Sequence, residues 1–167
     1  MPIVTTIEGR IAQVAIDRPE KRNTLSSELC KDLAREFLEL NDDTRVRSIV
    51  LCGHNNVFCA GLDIEEQLAE NTPIFNEFQK VIDALDALSK PVVAAVSGPA
   101  VSQGAAMLYH CDLVFAGEHA LFSMPGLALG QTPRYGVSLL AVKSGGYKLA
   151  AQKLLLSEPI SAAEAVA

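Results

Sequence analysis

Residues 90–110 read Lys90-Pro91-Val92-Val93-Ala94-Ala95-Val96-Ser97-Gly98-Pro99-Ala100-Val101-Ser102-Gln103-Gly104-Ala105-Ala106-Met107-Leu108-Tyr109-His110. The continuous apolar run Pro91–Val96 predicts a strand covered on both faces, as in a sheet sandwiched between other layers. Ser97-Gly98-Pro99-Ala100 must break that strand, because Gly and Pro interrupt regular pairing. A helix of small residues is expected to follow, from about Gln103 to His110. Strand, break and close-packed helix in so short a span set the pattern for the chain.

Upstream, apolar residues recur with a period near two in Val4–Ile7 and Ile11–Ile16, around Glu8-Gly9-Arg10, which predicts a β-hairpin. Asp17–Asn23 is a charged loop. Ser26 can cap a helix to about Leu40, with Leu29, Leu33, Phe37 and Leu40 on one stripe. Ser48–Leu51 reads as a buried strand, and Gly61-Leu62-Asp63 as a turn whose Asp caps a helix. Thr72-Pro73 opens another helix, with Pro at its first position. Its buried face is Ile74, Phe78, Val81, Ile82, Leu85 and Leu88. Downstream come short strands at Asp112–Ala116 and Ala120–Ser123, a loop over Gly126–Gly136, and two helices parted by Gly145-Gly146. Ser161-Ala162-Ala163-Glu164 is a capping box that opens a last helix three residues before the final Ala167, so further helices are expected beyond it. Strands alternating with helices predict an α/β fold, here a single domain over residues 1–167.

The chain has 167 residues, 49% of them apolar, which supports a substantial core and excludes wholesale disorder. Aromatics make up 5% and Trp is lacking, which argues against stacking platforms for bases. The net charge of −6 and pI near 5.0 disfavour nucleic acid and anionic membranes as partners. No apolar run reaches about 18 residues. Met1–Thr6 lacks the layout of a signal peptide, so a cytoplasmic location is expected. Cys30, Cys52, Cys59 and Cys111 have no CxxC spacing and read as reduced, mostly buried thiols rather than metal ligands. No GxGxxG follows the first strand, which excludes a dinucleotide fold, and no GxSxG marks a nucleophilic serine.

Three segments, in this order, resemble the crotonase (enoyl-CoA hydratase/isomerase) superfamily: Asp17–Leu25, Phe58-Cys59-Ala60-Gly61-Leu62-Asp63-Ile64, and Lys90–Ala100, with Cys111–Val114 and Pro159–Ala162 in support. The resemblance implies a core of repeated ββα units and a C-terminal helical region that is missing or incomplete here. It also implies homotrimers or dimers of trimers, and a coenzyme A thioester as substrate rather than a tightly bound cofactor.

What the resemblance implies about the site is specific. The backbone N–H groups of Leu62 and Gln103 would form an oxyanion hole for a thioester enolate, each donor worth about 3–4 kcal/mol. Gln103 would open its helix, leaving its N–H unpaired at the positive end of the dipole. Gln stands there where the family usually has Gly, and with Ser102 it adds bulk beside the thioester. Ala60, Asp63 and Ile64 would hold the adenine through backbone groups, with Gly104 also in the binding set. Arg18, Lys21 and Arg22 would face the phosphates, although Glu65 and Glu66 oppose this. The family's catalytic acids fall on Ala106, Gly126 and Arg134, none of which is an acid. The Gly98–Val101 segment and Leu129-Gly130-Gln131-Thr132-Pro133 are closer to the Δ3,Δ2-enoyl-CoA isomerase branch. Arg134 and Tyr135 are the best substitutes, as a carboxylate or enolate partner and a proton donor. Glu118 and His119 read as exposed surface, Asp112 as a turn anchor, and His110 as a cation suited to a helix end. Two functions follow: an enzyme of enoyl-CoA hydratase/isomerase type, or a non-catalytic CoA-thioester-binding or oligomeric partner protein.

Overall fold

Gly9 takes φ +60, and about it β1 (Ile3–Glu8) and β2 (Ile11–Ile16) pair antiparallel from Ile3↔Ile16 to Glu8↔Ile11. This is the predicted hairpin, seen in a computed structural model that describes residues 2–69 and 71–166. Parallel pairing then adds β3 (Ser48–Gly53), β4 (Val92–Val96) and β6 (Leu113–Ala116), giving the order β1-β2-β3-β4-β6. Helix α1 (Ser27–Asp42) is capped by Ser26, whose hydroxyl accepts from the Leu29 N–H at 3.1 Å. The stripe Leu29, Leu33, Phe37 and Leu40 is buried in one core with Phe78, Val81 and Leu85 of α3 (Ile74–Asp86) and the inward residues of the sheet.

Between them lies the short α2 (Ile64–Gln67), capped by Asp63 as predicted. Pro73 precedes the first residue of α3 instead of occupying it, and the Thr72 hydroxyl accepts from the Ile74 N–H. The expected two-sided cover of β4 is corrected. Val92, Ala94 and Val96 are buried while Val93 and Ala95 are half-buried, and every residue of β6 is exposed. A run of Val and Ala satisfies one covered face as well as two, so it does not separate the cases.

A second sheet has the order β5-β7-β8, from β5 (Pro99–Val101), β7 (Leu121–Ser123) and β8 (Ile160–Ser161). Single bridges join Leu25 to Leu62 and Cys59 to Ala100. These bridges bring the three motif segments together although they lie far apart in the chain. Helix α4 (Gln103–Leu108) is wholly buried and ends two residues short of the predicted His110. Tyr109 closes it with a tight turn onto the Ala106 carbonyl. The rest is α5 (Val137–Gly145), α6 (Tyr147–Leu155) and α7 (Ala162–Val166), the last opened by the Ser161–Glu164 capping box. Among the described residues no helix is long and apolar enough to cross a membrane.

Candidate active site

The Asp17–Leu25 loop is organised by Asn23, which is fully buried at φ 57. Its amide donates to the carbonyls of His54 (3.0 Å) and Val57 (2.7 Å), and its oxygen accepts from the Arg18 N–H at 2.8 Å. A buried amide with every group bonded locks two loops together. The sequence reading missed Asn23, one polar residue among many in Asp17–Thr24, with no local signal to set it apart.

Phe58–Ile64 threads between that loop and β5. The Leu25 N–H donates to the Gly61 carbonyl, and the Asp63 N–H donates to the Leu25 carbonyl, both at 2.8 Å. Leu62 sits between these two bonds, so its own N–H points away from Leu25, and it has no backbone acceptor among the described residues. Gly61 is at φ +96, and a Cβ there would meet the Ser102 Cβ at 3.2 Å and Gln103 Oε1 at 3.3 Å. The Gly61-Leu62 turn therefore lies directly against Ser102-Gln103. Gln103 is the first residue of α4, where an N–H has no intrahelical acceptor. With only six residues, α4 contributes less dipole than the longer predicted helix. Ser102 is held at φ 54 and ψ −116, anchored by its N–H to the Ser123 carbonyl at 2.7 Å. Such a conformation costs about 1–3 kcal/mol and persists only where its surroundings enforce it. Gly104 has a packing role: a Cβ would lie 2.3 Å from the Cys59 carbonyl oxygen.

Next to this junction is a small cleft of about 40 Å³, open to solvent, bordered by Ser102, Gln103, Ala106, Met124 and the loop from Gly126 to Tyr135. The three expected acid positions, Ala106, Gly126 and Arg134, all line it, and among the described residues no Asp, Glu or His does. A larger groove of about 610 Å³ runs along Leu108, Phe122 and Leu149 and shares Met124 and Leu154 with the cleft.

Arg134 lies in the loop with its guanidinium 4.8 Å above the Phe75 ring. The Tyr135 hydroxyl donates to the Phe75 carbonyl at 3.3 Å, and its ring meets Phe78 edge-on. Burial pushes the Tyr135 phenol up to about 12, so its proton is both committed and tightly held. His110 bridges the loop to α3: Nδ1 faces Asp86 Oδ1 at 2.7 Å and Nε2 faces the Tyr135 carbonyl at 3.0 Å. Glu118 and His119 are exposed and pair with each other. Asp112 accepts the Val92 N–H at 2.7 Å and fixes β6 beside β4.

The cationic loop is largely neutralised. Arg18 lies 3.1 Å from the Asp63 carboxylate, and Lys21 lies 2.7 Å from Glu65, whose hydrogen bond raises the ammonium's affinity for its proton. Glu66 turns the other way, accepting the Ser27 N–H and hydroxyl at the start of α1. Arg22 has no ion pair among the described residues. The Asp63 N–H is bonded to Leu25, whereas the Ala60 carbonyl takes no backbone partner among those residues and Ile64 is two-thirds exposed. Among the described residues no three His, Cys, Asp or Glu side chains are grouped to hold a metal. Burial pushes the Cys59 and Cys111 thiols up to about 12.

Two sheets, with the segment through the Gly61-Leu62 turn bridged to β5 at Cys59 and to Leu25 at Leu62, and a short buried helix and a cleft beside that turn, form a crotonase fold. The chain belongs to the enoyl-CoA hydratase/isomerase family, whose model matches residues 6–167. It is 33% identical to the short-chain-enoyl-CoA hydratase of Clostridium acetobutylicum, over 98% of this chain and 65% of that protein. Identity to the 2,3-dehydroadipyl-CoA hydratase of Escherichia coli is 32%, over 98% of this chain and 65% of the relative. The crystal structure of an enoyl-CoA hydratase/isomerase from Pseudoalteromonas atlantica T6c superposes with a TM-score of 0.92 at 32% identity, over 99% of this chain and 66% of that one. The chain thus spans just under two thirds of the length of these relatives.

Proposed function

We propose that the chain binds coenzyme A thioesters and stabilises an enolate at the N–H groups of Leu62 and Gln103, as an enzyme of enoyl-CoA hydratase/isomerase type. The observation that carries this is the packing of the Gly61-Leu62 turn against Ser102-Gln103 beside the cleft, with neither the Leu62 nor the Gln103 N–H bonded to the backbone among the described residues. Preorganised donors need no reorientation as charge develops on the thioester oxygen. The Ala60 carbonyl and the exposed Ile64 would accept the adenine, and Arg22 the phosphates. The Leu129–Pro133 stretch favours the isomerase branch, although the curated relatives named above are hydratases. Assembly would be as a homotrimer or dimer of trimers, in the cytoplasm.

One observation favours a second reading, in which thioesters bind without turnover: among the described residues the cleft is lined by no carboxylate or imidazole to move a proton. Arg134 remains available to pair with an enolate or an acyl carboxylate; Tyr135 could donate a proton only by leaving the Phe75 carbonyl. Calorimetry with butyryl-CoA tests the binding, and absence of binding overturns the site. Assays with crotonyl-CoA and a 3-enoyl-CoA separate the readings, since robust hydration or isomerisation refutes the non-catalytic one.

A further inference from the structure

Three buried side-chain polar atoms among the described residues have no hydrogen-bond partner: Thr5 Oγ1, Thr24 Oγ1 and Gln103 Oε1. Of these residues only Gln103 borders the cleft. It is 7% exposed, and its buried Oε1 accepts no hydrogen bond among the described residues. An acceptor left bare in the interior is costly, because it has lost its water and gained no donor in return. Gly61, lacking a Cβ, leaves the space in which Oε1 rests, 3.3 Å from where that Cβ would stand. The strained Ser102 backbone immediately before it is fixed to Ser123, so the side chain starts from a rigid base.

We infer that the Gln103 carboxamide is a specificity-determining contact of the cleft, accepting a hydrogen bond from an O–H or N–H donor carried by the bound thioester. The inference rests on the thioester-binding reading and extends it to the ligand's chemistry. Two parts of such a ligand carry that donor: a hydroxyl on the acyl chain and an amide N–H of the pantetheine arm. A site built around a donor rejects the analogue lacking it, because the buried acceptor is then left unpaired. Methionine at this position fills similar volume without a strong acceptor.

The test is calorimetry of the wild-type chain and Gln103→Met with butyryl-CoA and 3-hydroxybutyryl-CoA. A loss of about tenfold for the hydroxylated ligand alone assigns the donor to the acyl hydroxyl. An equal loss of that size for both ligands assigns it to the pantetheine arm. Unchanged affinity for both overturns the inference while leaving thioester binding intact. If the wild-type chain binds neither ligand, the thioester-binding reading itself fails, and this inference with it. Melting curves check that the variant folds; should it not, Gln103→Asn, which withdraws the amide by one methylene, supplies the same comparison.

Discussion

The α-carbon of Gly104 faces the carbonyl of Cys59 so closely that a Cβ would stand 2.3 Å from its oxygen and 2.8 Å from the Cys59 Cβ. Both neighbours are rigid parts of a buried bridge, so α4 must move if anything is added. Gly104→Ala is expected to destabilise the fold by about 1–3 kcal/mol in urea unfolding. It should also weaken butyryl-CoA binding, because the shift separates Gln103 from the Gly61-Leu62 turn. An alanine variant with wild-type stability would show that α4 yields at this contact without cost.

Asn23→Ala removes three buried hydrogen bonds at once and places a Cβ-bearing residue without amide at φ 57. The expected cost is about 3 kcal/mol, read as a lower urea midpoint at unchanged slope. A loss below about 0.5 kcal/mol would mean water replaces the amide.

Much of the architecture was legible because its signals are local. Gly9 marks the hairpin, Ser26 and the Leu29–Leu40 stripe mark α1, and Ser161 with Glu164 marks α7, each within one turn of the residues it governs. Asn23 was not legible, since its partners His54 and Val57 lie 31 and 34 positions away. Glu66 read as an obstacle to phosphate, yet it caps α1 through Ser27, 39 positions back. Of the site, the residues that meet were readable from the motifs, but the unpaired Gln103 oxygen and the commitment of Tyr135 to Phe75 depend on three-dimensional packing. The apolar run of β4 carried no information on what covers its second face.

Glu164 closes the capping box of α7. Hydrogen bonds from the Ser161 N–H, from Lys153 and from the Ser161 hydroxyl hold its carboxyl down at about 2. A folded-state value below the usual one stabilises above pH 4.5, the ordinary value for a glutamate, and the benefit is lost as pH falls towards 2. Carboxyl NMR titration should find a midpoint near 2. The melting difference between wild type and Glu164→Gln should shrink over that same interval. A Glu164 midpoint at 4 or above would place the carboxylate free in solvent.

His110 joins α3 to the cleft loop, with Asp86 on one ring nitrogen and the Tyr135 carbonyl on the other. His110→Ala should cost about 1–2 kcal/mol and speed hydrogen exchange at the amides of residues 135–137 more than in the sheet. Equal exchange in both variants would mean that Arg134, Tyr135 and Phe75 hold the loop unaided.

Arg18 and Arg22 look alike in the sequence and differ in the structure. Arg18 is mostly buried and sits 3.1 Å from Asp63, a carboxylate whose side chain is 7% exposed. Arg18→Ala is therefore expected to destabilise the fold by about 1–3 kcal/mol, because it strips the main partner from a buried charge. Arg22 is exposed and has no ion pair among the described residues. Its removal should leave stability unchanged within about 0.5 kcal/mol. If it faces the CoA phosphates, Arg22→Ala weakens CoA-thioester binding about two- to fivefold, the scale of an exposed charge pair. Adding salt should then narrow the gap between wild type and variant, since screening weakens the contact that only the wild type makes. Calorimetry at low and high salt reads both effects. Equal affinity of the two proteins at low salt would remove Arg22 from the phosphate site and leave the cationic loop a structural one.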